Sequence, residues 1–178
     1  MIAYNLAYIY SKSIDIICIT ETWLHDSILC TEIFSHNYTI YQRDRGSRGG
    51  GIIIATSDNL TSKIVLCHKS LESIAVEIDI SPKTLVVCMY VPPCPEVYQQ
   101  KAIHYLNLLP TDHDITVLGD FNAPDIDWPT LTGTTNYSLS LCNTVYKKNL
   151  TQKIKVPTHK QGDTLDLILT SSPTRIVN

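Results

Sequence analysis

Residues Ile115-Thr116-Val117-Leu118-Gly119-Asp120-Phe121-Asn122-Ala123 decide how this chain is read. The apolar run Ile115 to Leu118 is a strand, and it ends in Gly-Asp-x-Asn. Such an ending brings an acceptor carboxylate and an amide to one strand end. That pairing suits chemistry on a phosphate, where the acid handles a water or a metal and the amide donates to an oxygen. The plainer reading is a loop, because Gly, Asp and Asn are the usual turn residues.

Working outward, the sequence alternates apolar runs with turn signals. Ile14 to Thr20 is a nearly continuous apolar run rich in Ile, suited to a strand buried on both faces. Thr39 to Arg43 and Gly51 to Ala55 are two further strands, joined hairpin fashion by Asp44 to Gly50. Lys63 to Cys67, Ser73 to Ile80 and Thr84 to Tyr90 follow, with Ile74, Val76, Ile78 and Ile80 at the spacing of a half-buried strand. Ser81-Pro82-Lys83 is a turn. Pro92, Pro93 and Pro95 stop the strand before them. Glu96 to Leu109 is a helix with an apolar stripe of Val97, Ile103, Leu106 and Leu109. Pro124 to Gly133 is a loop holding Trp128. Tyr137 to Asn149 is a helix, Thr164 to Thr170 a last strand, and Ala3 to Ser11 an amphipathic helix. The mixture predicts one α/β domain over residues 1–178, with sheets at the core and helices covering them.

Composition narrows the class. The chain has 178 residues, 44% hydrophobic and 17% charged, which describes a globular domain with a sizeable core. Apolar runs are of strand length, short of the roughly 20 residues of a membrane span. Met1-Ile2-Ala3-Tyr4-Asn5 lacks a basic leader. The expectation is an intracellular protein, nuclear or cytoplasmic, neither secreted nor in a membrane, with reduced thiols. Net charge is −3, so any nucleic-acid contact must be a local patch rather than an overall basic excess. None of the six cysteines forms a C-x-x-C pair, which argues against a zinc site. Cys18 and Cys88, inside apolar runs, read as small buried hydrophobes.

Functional side chains gather at strand ends. Glu21 follows Ile14 to Thr20, Tyr90 follows Thr84 to Met89, Asp120 and Asn122 follow Ile115 to Gly119, and Asp166 lies in Thr164 to Thr170. Together they make an oxygen-rich set suited to a hard cation such as Mg²⁺. Each also has a plainer reading. Glu21 could cap a helix near Thr22 and Trp23. Tyr90 could be a half-buried strand tyrosine with its hydroxyl in solvent, and Asp166 a strand acid paired locally. Arg43, Arg45 and Arg48 are either a solvated turn or contacts to DNA phosphates. Trp128 reads as packing, Gly49 to Gly51 as a tight turn with close strand approach, and His159 as a surface histidine.

Five motifs in order carry a resemblance across nearly the whole chain. They are Ile19-Thr20-Glu21-Thr22-Trp23-Leu24; Arg43-Asp44-Arg45 followed by Gly49-Gly50-Gly51; Tyr90-Val91-Pro92-Pro93; Gly119-Asp120-Phe121-Asn122 with Asp127-Trp128; and Thr164-Leu165-Asp166-Leu167-Ile168-Leu169-Thr170. The chain resembles the endonuclease/exonuclease/phosphatase superfamily, and within it the endonuclease domain of non-LTR retrotransposons of the jockey and chicken-repeat type. The resemblance implies a four-layer α/β sandwich of two mainly antiparallel sheets flanked by helices. It implies Mg²⁺-dependent hydrolysis of DNA phosphodiesters, with Mn²⁺ as a substitute cation and a reverse transcriptase domain in the parent polyprotein. In that comparison Glu21 is similar to the metal-binding glutamate, and Asp120 to the aspartate that activates water. Asn122 and Tyr90 match residues near the phosphate, and Asp166 looks like the aspartate that orients a catalytic histidine.

The chain also departs from that pattern. The family opens with a strand carrying an asparagine, whereas this chain starts in what reads as the following helix, with Asn5 inside it. No Ser-Asp-His motif occurs in the 178 residues, and Pro93 stands where many relatives outside this branch have asparagine. The expectation is therefore a nuclease fold incomplete at its N- and C-terminal strands, with impaired activity, from a gene-model fragment or a decayed element copy. The alternatives are a catalytically dead or nucleic-acid-binding remnant, or a superfamily phosphatase acting on another phosphoester. The Arg43 region and the Trp128 motif favour the retrotransposon branch.

Overall fold

The computed structural model describes residues 14–24, 33–34, 37–46, 49–93 and 95–175. The expected helix over Ala3 to Ser11, together with Cys30, Arg48 and Cys94, lies outside them. Two sheets face each other. The smaller holds β1 (Ile16–Thr20), β2 (Tyr38–Arg43) and β3 (Ile52–Ser57) in the antiparallel order β1-β3-β2. The larger holds β4 (Ser62–Cys67), β5 (Glu72–Ile78), β6 (Thr84–Tyr90), β7 (Asp114–Asp120), β8 (Thr151–Gln152) and β9 (Asp166–Thr170). Its order is β4-β5-β6-β7-β9-β8. Every neighbour pair in it is antiparallel except β6 and β7. That parallel pair needs a crossover, and α1 (Glu96–Leu108) supplies it; α2 (Asn136–Lys147) connects β7 to the strands that follow.

Side-chain alternation sorts the strands into layers. In β6, Leu85, Val87 and Met89 turn toward the helices, and Val86, Cys88 and Tyr90 turn toward the small sheet. In β3, Ile52 and Ile54 meet that same seam while Ile53 and Ala55 line the far side of the small sheet. The seam is thus made of Ile52, Ile54, Ile74, Val76, Ile78 and Val86, all buried. Each such side chain contributes about 1.5–3 kcal/mol on burial, so apolar contact joins the sheets and the polar groups are left for the rim.

Strand and helix bounds fall within two residues of those expected, and β2 and β3 form the expected hairpin. Strand β8 had no signal, because two residues carry no periodicity. The apolar stripe of α1 differs from expectation. Ala102, Tyr105, Leu106 and Leu109 are buried, whereas Val97 is 63% exposed. The face follows the spacing Tyr98, Ala102, Tyr105, Leu109, which excludes position 97. Helix α2 starts where Thr135 accepts from the Ser138 amide at 3.1 Å. The Asp125 carboxylate fixes that start by accepting from the Thr134 amide at 2.8 Å, the Thr135 amide at 2.9 Å and the Ser138 hydroxyl at 2.5 Å. Burial alone would raise the Asp125 carboxyl, but those donors outweigh it and hold it well below the usual range. Among the described residues, no helix is long and apolar enough to cross a membrane.

Gly119 is the residue of β7 on which this arrangement depends most. Its φ is +144°, and a Cβ there would fall onto the Met89 carbonyl of the adjoining strand. Gly119→Ala is therefore expected to destabilise the domain by at least about 3 kcal/mol, read as a lower urea midpoint. A wild-type midpoint in that variant would show that β6 and β7 are not paired in this register.

Candidate active site

Three adjacent strands of the larger sheet bring three functional side chains abreast. Tyr90 at the end of β6 is paired in register with Asp120 at the end of β7. Asp120 is paired in turn with Asp166. Asp166 is the first residue of β9, and because β9 runs antiparallel to β7, its start lies where β7 ends. Tyr90, Asp120 and Asp166 are also in phase with Val86, Cys88 and Leu118, the residues facing the small sheet. The alternation therefore aims all three at the end of the seam between the sheets. Glu21 arrives from the opposite sheet, one residue beyond β1.

At that end the Tyr90 hydroxyl joins a strand end of the larger sheet to one of the smaller, donating to Glu21 Oε1 at 2.5 Å. This answers the plainer reading of Tyr90. The Glu21 carboxylate is engaged by Tyr90, and the Tyr90 hydroxyl is held rather than left in solvent. The backbone beyond the strands is left-handed at Glu21 (φ +53°), Trp23 (φ +55°) and Asn122 (φ +44°). Non-glycine residues in this region carry strain, which collects at functional sites. Asn122 is fixed from both sides. Its backbone amide donates to Asp120 Oδ1 at 3.0 Å, and its side-chain amide donates to the Val91 carbonyl at 3.0 Å. The Thr158 hydroxyl accepts from the Leu165 and Asp166 amides at 3.0 Å each, which sets the start of β9.

These surroundings make Asp120 a stronger base than an ordinary aspartate. Burial pushes its carboxyl up to about 6; the Asn122 amide opposes this, and the negative charges of Asp166 and Glu21 add to it. The Tyr90 phenol is also raised, first by burial and then by its bond to the Glu21 carboxylate, with Arg45 opposing.

Two of the hairpin arginines, Arg43 and Arg45, have partners among the described residues. Arg43 donates to the Lys69 carbonyl and to Cys67 Sγ. Arg45 pairs with Glu72, with Nε at 2.7 Å and Nη2 at 2.6 Å from Oε1, and its guanidinium lies 5.3 Å from the centre of the Tyr90 ring. Glu72 Oε2 accepts from the Gly51 amide at 2.5 Å. The glycine run closes on the segment after β1, with Trp23 N donating to Gly50 O at 2.9 Å and Thr22 N to Gly51 O at 3.2 Å. A side chain at Gly50 would collide with Arg45 and Glu72, and one at Gly51 with Thr22. Trp128 packs against the helix-side core, and His159 is half-buried on its loop facing Asp163 at 4.0 Å. Sequence reading missed Glu72. A single acid at the start of a strand carries no motif, and only the three-dimensional approach of the hairpin reveals it.

The model of the Endonuclease/Exonuclease/phosphatase family matches residues 3–178. The chain belongs to this family. Its fold is shared with the endonuclease domain of TRAS1, a telomere-specific non-LTR retrotransposon, at a TM-score of 0.67 and 17% identity over 93% of this chain and 76% of that one. It is shared with an AP endonuclease from Archaeoglobus fulgidus, at 0.66 and 15% over 97% and 82%. It is shared also with the 3'-5' exonuclease NExo from Neisseria meningitidis, at 0.68 and 14% over 95% and 80%. At these identities the likeness is one of fold. No curated protein matches the chain in sequence.

Nucleases of this family generally use divalent metals. Among the described residues no three His, Cys, Asp or Glu side chains gather closely enough to enclose an ion. What the site offers is an oxygen-only set: Glu21, exposed and with one carboxylate oxygen taken by Tyr90, near Asp120, whose carboxyl is raised partly by negative neighbours. That fits Mg²⁺, which binds through one or two carboxylates and keeps its waters, better than a closed cage would.

The raised Asp120 carboxyl has a consequence for stability. Its folded value lies above its unfolded one, so the ionised group opposes folding at neutral pH and the penalty fades as pH falls toward about 4. In EDTA, Asp120→Asn is expected to melt above wild type at pH 8, with the gap closing by pH 4. An equal or lower melting temperature at pH 8 would mean that burial and the charges of Asp166 and Glu21 do not penalise the ionised Asp120.

Proposed function

We propose that this chain is a divalent-cation-dependent phosphodiester hydrolase acting on DNA, the endonuclease domain of a non-LTR retrotransposon. The observation that carries the reading is the meeting of Glu21, Tyr90, Asp120, Asn122 and Asp166 at one end of the sheet seam, with a base of raised pKa at its centre. Family membership supports the reaction class. The ordered motifs and the fold shared with the TRAS1 domain support the retrotransposon branch, and with it a reverse transcriptase in the parent polyprotein.

Each residue has a role that follows from its surroundings. Asp120, pushed up to about 6, is ionised at neutral pH yet basic enough to take a proton from an attacking water. Asp166 maintains that basicity by its charge. Asn122, locked by Val91 and Asp120, presents its remaining amide valence to a phosphate oxygen. Tyr90 fixes the Glu21 carboxylate, which would hold Mg²⁺ or Mn²⁺. A bound cation supplies neutralisation of phosphate charge. Of the hairpin arginines, Arg43 bonds neutral acceptors among the described residues, so its charge is available for a DNA backbone phosphate. Arg48 is assigned the same role from its place in the sequence, between Arg45 and Gly49, whereas the charge of Arg45 is paired to Glu72.

The test is nicking of supercoiled plasmid by the purified chain. Conversion to open circles is expected with Mg²⁺ or Mn²⁺ and none with EDTA. Asp120→Ala is expected to slow it by roughly 10²–10⁴. Nicking that persists at the wild-type rate in Asp120→Ala, or no cation-dependent nicking by the unaltered chain, would overturn the reading. In the second case a shift of labelled DNA in a gel would leave a nucleic-acid-binding module.

A further inference from the structure

Glu72 belongs to none of the motifs, yet it is the one acid among the buried described residues. Its two carboxylate oxygens do different work. Oε1 takes the Arg45 guanidinium, at 2.7 Å from Nε and 2.6 Å from Nη2. Oε2 takes the Gly51 amide at 2.5 Å. From Arg45 the chain of contacts runs on to the Tyr90 ring, 5.3 Å from the guanidinium carbon, and from the Tyr90 hydroxyl to Glu21. From Gly51 a second route runs through the carbonyl that accepts the Thr22 amide, directly beside Glu21. Both oxygens of Glu72 therefore lead to Glu21, one through its hydrogen-bond donor and one through its backbone. The buried pair itself is weak evidence for stability, because desolvation offsets its attraction. A role in fixing geometry accounts better for its place here.

We propose that Glu72 is a positioning residue: through Arg45 and Tyr90 on one side and Gly51 on the other, it sets the orientation of the Glu21 carboxylate toward the cation. This rests on the phosphodiesterase reading given above. It also changes the role of Arg45, which serves the site by holding Tyr90 rather than by touching a DNA phosphate. Residues one step behind a ligand carry weight of this kind: their loss typically costs 10–100-fold in metal affinity or activity, as a rough range.

The test measures cation affinity directly, by electron paramagnetic resonance titration of Mn²⁺ into the full chain, alongside thermal unfolding in EDTA. Glu72→Gln keeps the shape of the side chain but leaves one carbonyl oxygen for two donors, Gly51 and Arg45. It is expected to weaken Mn²⁺ binding by roughly 10-fold while remaining folded. Tyr90→Phe is expected to do the same. The double variant should lose less than the sum of the two single losses, because both variants break the shared route through Arg45 and Tyr90. Arg45→Lys keeps the charge but loses the planar fork, and should behave like Glu72→Gln. For Arg45→Lys, the slope of DNA affinity against salt should stay at the wild-type value, whereas loss of a phosphate contact would lower it by about one.

Wild-type Mn²⁺ affinity in folded Glu72→Gln, with Tyr90→Phe impaired, would overturn the proposal and make Glu72 a tether of the hairpin alone. Additive losses in the double variant would overturn it too. Absence of Mn²⁺ binding by the unaltered chain would overturn this role and the phosphodiesterase reading together, so the two failures are told apart.

Discussion

The hydrogen bond from Tyr90 to Glu21 is the constraint on which the rest of the site turns. Each residue belongs to a different sheet, and the middle of the seam between those sheets is apolar. Apolar packing holds the sheets together but is non-directional; it sets their distance, not the register of their rims. A short bond to a carboxylate supplies the direction. It is supported by Arg45 against the Tyr90 ring and by the Glu72 carboxylate behind Arg45. Without it the Glu21 carboxylate would sit on a left-handed turn with no side-chain donor to orient it.

The site concentrates unfavourable terms that a structural strand end would avoid. Glu21 and Asn122 both sit at positive φ, and Asp120 carries its charge near those of Asp166 and Glu21. Each costs stability, and the costs are offset by the buried layers on both faces of the larger sheet. Gly119 is the opposite case. It is a local weakness by composition, but it alone allows β7 to approach β6 closely enough to place Asp120 beside Tyr90. The crowding of charge falls on the residues proposed to meet a divalent cation, whose positive charge would offset it.

Much of this was legible in the sequence, and the reasons differ by residue. Strands β3, β5 and β6 are long enough for apolar alternation to mark them, and Glu96–Leu108 and Asn136–Lys147 are long enough to show a helical period. Glu21, Tyr90, Asp120, Asn122 and Asp166 could be picked out because each stands at or near a strand end beside apolar residues. That Asp166 joins Asp120 was expected from the family resemblance and not from periodicity, because it depends on β9 running antiparallel to β7. Glu72 and the pairing of Arg45 were invisible for a similar reason: they join residues 27 positions apart on facing sheets. Val97 illustrates the reverse error, an apolar residue assigned to a buried stripe that the helix turns to solvent. Local periodicity reveals elements, whereas contacts across sheets come only from topology.

The proposal that a divalent cation meets Glu21 at the end of the sheet seam, under the control of Tyr90, underlies all the roles assigned to the site. The most direct measurement is anomalous diffraction from a crystal of the chain soaked in Mn²⁺. The account predicts a peak against the free carboxylate oxygen of Glu21, on the side of Asp120, with the Tyr90 hydroxyl still on Oε1. A peak elsewhere on the molecule, with Glu21 bound only to Tyr90, would contradict it.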